Sequence, residues 1–116
     1  MERIMKYIIA IIQPSRLEAV RDALQEAEIT RMTISDVMGY GRQMGHTENF
    51  MGKEYEIHFT RKVKIEIAVN DDFLDVTIDT IMKHARTGKI GDGKLFIFPM
   101  EEVIRIRTGE TGREAI

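Results

Sequence analysis

The sequence predicts an α+β fold of the ferredoxin-like type, a βαββαβ sandwich with two helices on one face of an antiparallel sheet. Three observations predict it. Strand and helix patterns alternate along the 116 residues, the two strand–helix–strand units have similar lengths, and a long irregular stretch separates them. Since this length suits one continuous core, we expect a single domain over residues 1–116.

The first unit opens with an apolar strand. Met5–Ile12 is apolar on both faces, which is typical of a central strand. Ser15 and Glu18 have the spacing of a capping box, so a helix is expected to begin there and to continue to about Ala27. The β-branched run Thr33–Met38 then predicts the second strand.

The second unit follows an irregular stretch that runs from Gly39 to about Ile57. A structureless segment of this length in a small domain is usually either functional or disordered. Phe59–Val69 then gives the clearest alternation in the chain. One face of this predicted strand carries Val63, Ile65, Ile67 and Val69, and the other carries Lys62, Lys64 and Glu66.

The remaining elements follow from caps and periodicity. Asn70, Asp71 and Asp72 are candidate helix caps, and the apolar stripe of Leu74–Ala85 has helical spacing. Gly88 is the natural residue to follow the end of this helix. Leu95–Phe98 predicts a short strand, and the alternation of Val103–Arg107 predicts a final one. The sheet face away from the helices would then be half apolar, which is typical of a face buried between subunits.

Composition narrows the function classes. Apolar residues make up 43% of the chain and charged residues 31%, which indicates a soluble globular fold. A net charge of −2 disfavours a broad nucleic-acid interface. The chain has no cysteine, which excludes disulfides and thiolate metal sites. No apolar run is long enough to insert into a membrane, and no secretory signal is expected at the N-terminus.

Three glycine-rich segments with nearby cations suggest an anion site. They are Gly39–Gly45, Thr87–Lys94 and Thr108–Gly112. Glycine lets backbone N–H groups approach a phosphate closely, and lysine or arginine would balance its charge. The alternative is that these glycines only form turns, and spacing alone does not separate the two. None of the segments is a Walker A loop.

Catalytic and metal-binding patterns are weak in comparison. The three histidines lie far apart in sequence, and none begins a pair with metal-ligand spacing. No nucleophile is paired with a base at a recognisable spacing. The residues alone therefore predict a small α+β domain with an anion site and a long loop.

Several motifs in order resemble the PII nitrogen-regulatory signalling family. Gly39–Glu48 resembles the start of the family's T-loop, Ala85–Lys94 its B-loop and Val103–Glu110 its C-loop. Ile9–Pro14 and Lys62–Glu66 match as well. The resemblance implies a homotrimer with the T-loop at about residues 41–57, the B-loop at about 86–94 and the C-loop at about 105–112.

The resemblance also implies an ATP or ADP site in each cleft between subunits. The B-loop and the two C-loop arginines would hold phosphates, the T-loop base would close the site, and three further residues would line the adenine and ribose pocket. The implied nucleotide-binding residues, in that order, are Gly91, Asp92, Gly93, Lys94, Arg105, Arg107, Gly39, Gly41, Arg42, Gln43, Ile11, Thr33 and Ala68.

In this family 2-oxoglutarate binds beside MgATP. The resemblance implies that Gln43 ligates Mg²⁺, a metal that prefers oxygen ligands and is commonly shared with phosphates. Lys62 would pair with the distal carboxylate of 2-oxoglutarate. Backbone N–H groups from Gly41 to Gly45 would take the remaining carboxylate charge.

The output implied by the resemblance is regulation of a partner protein through the T-loop in the cytoplasm, without catalysis. Tyr55 matches a tyrosine that carries a nucleotide modification in some members. The partner could be an ammonium channel, a nucleotidyltransferase, a kinase or a nitrogenase-linked protein. The alternative function is a small ATP-hydrolysing or phosphate-transfer enzyme that uses the same cleft.

Overall fold

The described part of the chain folds into a four-stranded antiparallel sheet with two helices. The computed structural model describes residues 5–44 and 55–116, with side chains described outside 41–44 and 55–58. The elements are β1 (Met5–Ile12), α1 (Leu17–Glu26), β2 (Thr33–Met44), β3 (Tyr55–Asn70), α2 (Leu74–Ala85) and β4 (Gly93–Pro99). The strand order is β2-β3-β1-β4. Every pair is antiparallel, which confirms the predicted ferredoxin-like α+β fold.

The core lies between the sheet and the helices. Alternate residues of β1 and β3 point into it and are almost fully buried, as are the inner faces of α1 and α2. The β3 members are Val63, Ile65, Ile67 and Val69, as the alternation predicted. Among the described residues, no helix is both long and apolar enough to cross a membrane.

The stretch expected to be irregular is partly sheet. β2 and β3 stay paired from Thr33↔Glu66 to Met44↔Tyr55, so the expectation of irregular structure is wrong at both of its ends. The backbone of each strand continues in ladder hydrogen bonds because its partner is equally long, a property that neither segment shows alone. Residues 45–54, the centre of the predicted T-loop, lie outside the described residues.

Both helices begin without the predicted side-chain caps. The 3₁₀ turns Pro14–Arg16 and Asp71–Phe73 precede them, and neither Ser15 nor Asn70 makes a capping hydrogen bond. Pro14 fixes a φ that suits a first turn and has no N–H to satisfy, which favours the turn without a cap. Gly88 does not follow α2 directly, because the helix already ends in extended backbone at Arg86.

The predicted final strand is absent from the described sheet. Val103–Arg107 makes a single bridge, Ile104↔Thr111, and the chain folds back in a turn. The amide of Arg105 donates to the Glu110 carbonyl at 2.9 Å, and the Gly109 amide donates to the Arg105 carbonyl at 2.8 Å. Gly109 takes a φ of +77° in this turn, so the local glycine overrides the alternating pattern.

α1 ends in a Schellman motif with a glutamate in the position that favours glycine. The Ile29 amide donates to the Leu24 carbonyl and the Glu28 amide to the Gln25 carbonyl, both at 2.9 Å. Glu28 takes a φ of +69°, the left-handed region. Ile29 and Leu24 are both buried, which is the apolar contact that accompanies this motif.

We expect Glu28→Gly to stabilise the fold by about 1 kcal/mol, because glycine reaches the left-handed region without the Cβ clash. Urea unfolding followed by circular dichroism would measure the change. The matched control is Glu26→Gly, which makes the same chemical change inside the last turn of α1 and should destabilise by about 1 kcal/mol. Destabilisation of similar size in both variants would contradict the prediction.

Candidate functional site

The loop between α2 and β4 is built around one carboxylate. Asp92 Oδ2 accepts hydrogen bonds from the amides of Thr87 at 2.7 Å and Gly88 at 2.9 Å. Its Oδ1 accepts one from the Thr87 hydroxyl at 2.5 Å. These contacts, led by the Thr87 hydroxyl and helped slightly by Lys62, hold the pKa of Asp92 below its usual value of 3.8. The loop is therefore fixed by an ionised side chain at neutral pH.

Glycines set the backbone path on both sides of Asp92. Gly91 and Gly93 each take a φ of +102°. At Gly93 a Cβ would lie 1.7 Å from the Ile11 carbonyl oxygen, so only glycine fits between β4 and β1. The glycines of this loop are thus required by its geometry, as both the turn and the phosphate interpretations expected.

Lys62 joins β3 to this loop. Its Nζ donates a hydrogen bond to the Gly91 carbonyl oxygen. The space beside Gly91 is narrow, since an added Cβ would lie 3.1 Å from Gln13 Nε2. No hydrogen bond among the described residues uses the amide of Ile90 or Gly91. Two free backbone donors and an ammonium group therefore lie together, a combination that suits a phosphate or carboxylate.

The sheet face away from the helices carries a second charged group. The Tyr7 hydroxyl donates to Glu66 Oε1 at 2.5 Å, and Lys64 Nζ lies 3.8 Å from Glu66 Oε2. The hydrogen bond to Glu66, with burial and the carboxylate charge, raises the pKa of Tyr7 to about 12. Phe96 and Phe98 lie on the same face and are 43% and 46% exposed, so this face is half apolar as predicted.

The predicted nucleotide residues fall into two groups within one chain. Ile11, Asp92, Gly93 and Lys94 line a cavity of about 110 Å³ beside β4. Ala68 lines another of about 330 Å³, whose wall includes Ile116. Ile11 pairs with Lys64, four residues along β3 from Ala68, an offset of about 13 Å. Thr33 pairs with Glu66, between the two.

The two C-terminal arginines stand apart from the 86–94 loop, and Arg105 contacts Ile116 in the wall of the Ala68 cavity. Arg105 lies 3.7 Å from Glu110 through Nε, and its Nη2 donates to the Ile116 carbonyl oxygen at 3.4 Å. Arg107 is exposed. Within the described residues no hydrogen bond or ion pair joins either guanidinium to the 86–94 loop. One chain therefore does not bring its predicted phosphate cations together.

The predicted T-loop residues are defined only through their backbone. Gly39 pairs with Thr60, and Gly41, Arg42 and Gln43 continue β2 opposite His58, Ile57 and Glu56. Tyr55 lies opposite Met44 at the end of the pair. Gly45 lies outside the described residues. The roles predicted for these side chains stay predictions.

Sequence reasoning missed the contact between Thr87 and Asp92 and the one between Lys62 and Gly91. The first could have been suspected, because aspartate and threonine side chains in turns commonly hydrogen-bond to nearby backbone groups. The second gave no signal, since the residues are 29 positions apart in sequence. Among the described residues, no group of three or more His, Asp or Glu side chains could hold a metal ion.

Comparison with known proteins gives a consistent result. The family model described as "Nitrogen regulatory protein P-II" matches residues 5–110. Nitrogen regulatory protein P-II of Klebsiella oxytoca is 57% identical over 112 residues, covering 97% of this chain and all of the relative. P-II 2 of Methanothermobacter thermautotrophicus is 52% identical, covering 97% of each chain.

Solved structures agree in fold and extent. B. subtilis GlnK in complex with ATP has a TM-score of 0.87 at 34% identity and covers 97% of this chain and 98% of its own. Arabidopsis thaliana PII bound to citrate has a TM-score of 0.81 at 39% identity, with 99% and 94% covered.

These relatives are named as regulatory proteins and not as enzymes, which confirms that the chain is a regulator. The fold, the glycine-rich loop and the matches over nearly the full length point the same way. The chain belongs to the nitrogen regulatory protein P-II family.

Proposed function

We propose that this chain forms a homotrimer, binds ATP or ADP in each cleft between neighbouring subunits, and regulates partner proteins through its T-loop. One observation carries the proposal. The predicted nucleotide residues form two groups about 13 Å apart on one sheet, one containing Ile11 and Gly93 and the other Ala68. A site shared between neighbouring chains would take one group from each chain.

The half-apolar sheet face supports the trimer. Phe96 and Phe98 expose large aromatic side chains on this face, and they lie beside the Tyr7–Glu66 pair. Contact with neighbouring subunits would cover this surface and would bring Arg105 and Arg107 of one chain toward the 86–94 loop of another. The ATP complex of the B. subtilis relative supports a nucleotide as the ligand.

The phosphates would bind at the 86–94 loop. The free amides of Ile90 and Gly91 and the ammonium groups of Lys62 and Lys94 provide hydrogen-bond donors and positive charge. Both carboxylate oxygens of Asp92 already accept hydrogen bonds within the loop. Mg²⁺ would therefore take its oxygen ligands from the phosphates and from the side-chain amide oxygen of Gln43, because the described loop offers no free carboxylate.

The proposed effector is 2-oxoglutarate, bound only beside MgATP. Lys62 would pair with its distal carboxylate, and the backbone from Gly41 to Gly45 would contact the other. Lys62 also touches the 86–94 loop through Gly91, so the same lysine contacts both proposed sites. The citrate bound to the Arabidopsis relative supports a site for small carboxylates.

Titration calorimetry tests the proposal on a preparation whose light-scattering mass equals three chains. We expect ATP and ADP to bind, and 2-oxoglutarate to bind only with MgATP present. Gln43→Ala should leave ATP binding nearly intact and abolish measurable 2-oxoglutarate binding, because it removes the proposed Mg²⁺ ligand that couples the two sites. A monomer, or equal 2-oxoglutarate binding without nucleotide, would refute it.

The partner proteins belong to the same proposal. An ammonium channel, a nucleotidyltransferase, a kinase and a nitrogenase-linked protein are the candidate targets, and Tyr55 is the candidate modification site. Affinity capture from native lysate, with and without 2-oxoglutarate, would identify the target. Capture of the same proteins in both conditions would contradict regulation by this effector.

A further inference from the structure

Asp92 uses both carboxylate oxygens within its own loop. Oδ2 accepts from two backbone amides, those of Thr87 and Gly88, and Oδ1 accepts from the Thr87 hydroxyl. The Thr87 hydroxyl oxygen in turn accepts from the Lys89 amide at 3.2 Å. The carboxylate therefore closes the first half of the loop onto the second.

The charge of Asp92 is wrong for direct contact with a phosphate. A carboxylate and a phosphate repel each other unless a cation lies between them. The hydrogen bonds hold the pKa of Asp92 low, so the group stays ionised at every pH near neutrality. Since both of its oxygens already accept hydrogen bonds within the loop, we expect its contribution to phosphate binding to be indirect.

We infer that Asp92 is a positioning residue, which holds the 87–92 segment in the shape that presents the Ile90 and Gly91 amides to the phosphates. This inference rests on the proposed nucleotide function and adds a role that the carboxylate performs without touching the ligand. The amides of Thr87 and Gly88 donate hydrogen bonds to Asp92, whereas those of Ile90 and Gly91 have no acceptor among the described residues.

The need for such a residue follows from the glycine content. Gly88, Gly91 and Gly93 all take positive φ, and glycine loses more conformational freedom on ordering than other residues. A loop that is ordered before the ligand arrives avoids that entropic cost at binding. Asp92 orders it with three hydrogen bonds from two residues.

The experiment compares Asp92→Ala, Asp92→Asn, Thr87→Val and the double variant Asp92→Ala/Thr87→Val. Calorimetry measures the affinity of each trimer for MgATP and for adenosine, which lacks phosphates. The matched control is Asp22→Ala, which removes one exposed carboxylate on α1 and changes the net charge equally. Amide exchange of Thr87 and Gly88 is measured without nucleotide.

We expect Asp92→Ala to weaken MgATP binding about tenfold, because charge-assisted hydrogen bonds order the loop, with adenosine binding changed less than about twofold. Asp92→Asn should recover part of the loss, because its one carbonyl oxygen can still accept. The double variant should lose less than the sum of the two single losses, since both changes remove the hydrogen bond between the Thr87 hydroxyl and Asp92. Faster amide exchange at Thr87 and Gly88 should accompany Asp92→Ala.

Unchanged or tighter MgATP binding by Asp92→Ala would overturn the inference, as would equal losses for MgATP and adenosine. Additive losses in the double variant, or unchanged amide exchange at Thr87 and Gly88, would overturn it as well. Absence of ATP binding by the wild-type trimer would instead refute the proposed nucleotide function.

Discussion

Gly93→Ala should lower the free energy of unfolding by more than about 4 kcal/mol, the range reserved for severe steric or core defects. The added Cβ would lie 1.7 Å from the Ile11 carbonyl oxygen and 2.8 Å from its carbon. Both are backbone atoms of a central strand, so neither can turn aside. Relief would require β4 to separate from β1 at the Ile12↔Gly93 pair.

Urea unfolding would measure this effect, with Gly112→Ala as the matched control. Gly112 also has a positive φ, +70°, but a Cβ there meets nothing within 4 Å. The control therefore contains only the strain of the left-handed backbone, about 1–2 kcal/mol. Similar losses for both variants would show that β4 gives way easily and would contradict the prediction.

Lys62→Met should weaken 2-oxoglutarate binding at fixed MgATP by about thirtyfold or more, because losing one partner of a hydrogen-bonded charge pair costs about 2–5 kcal/mol. Methionine keeps most of the side-chain volume and removes only the ammonium group. That group donates to the Gly91 carbonyl oxygen in the free chain, so MgATP binding should weaken as well, by less.

Lys64→Met is the matched control for this variant. Lys64 lies two residues along β3 on the same sheet face, and its ammonium group is paired with Glu66 at 3.8 Å. The Lys64→Met substitution removes one positive charge from the same surface and leaves the 86–94 loop unchanged. If Lys64→Met lost as much 2-oxoglutarate affinity as Lys62→Met, the overall positive charge of this surface would determine effector binding, and the single contact of Lys62 would not.

The sequence predicted the sheet well where burial controls the pattern. β3 alternates because one face packs on the helices, and its four buried residues were correctly assigned. The prediction from sequence was wrong where an alternating pattern did not reflect burial of one face of a strand. Val103–Arg107 alternates like a strand, yet Gly109 turns the chain back before pairing can extend. The length of β2 was also missed, because a ladder depends on its distant partner.

The candidate site, like the fold, could be predicted from the sequence only in part. Glycines and lysines in the 86–94 segment predicted an anion site, and the structure places Lys62 and Gly91 in contact there. The role of Asp92 could not be predicted from residue type, because a carboxylate in such a loop could contact a metal, a phosphate or the backbone. Only the hydrogen-bond geometry shows that it contacts the backbone.

The separation of Ile11 and Gly93 from Ala68 along one sheet has a genetic consequence for the proposed trimer. A chain damaged only at Gly91 or Lys62 keeps its Ala68 half of a cleft, whereas a chain damaged only near Ala68 keeps the other half. When both chains are made in one cell, mixed trimers would contain some clefts assembled from two undamaged halves. Two inactive alleles would then complement each other, and the pattern of complementing pairs would map which residues belong to each half.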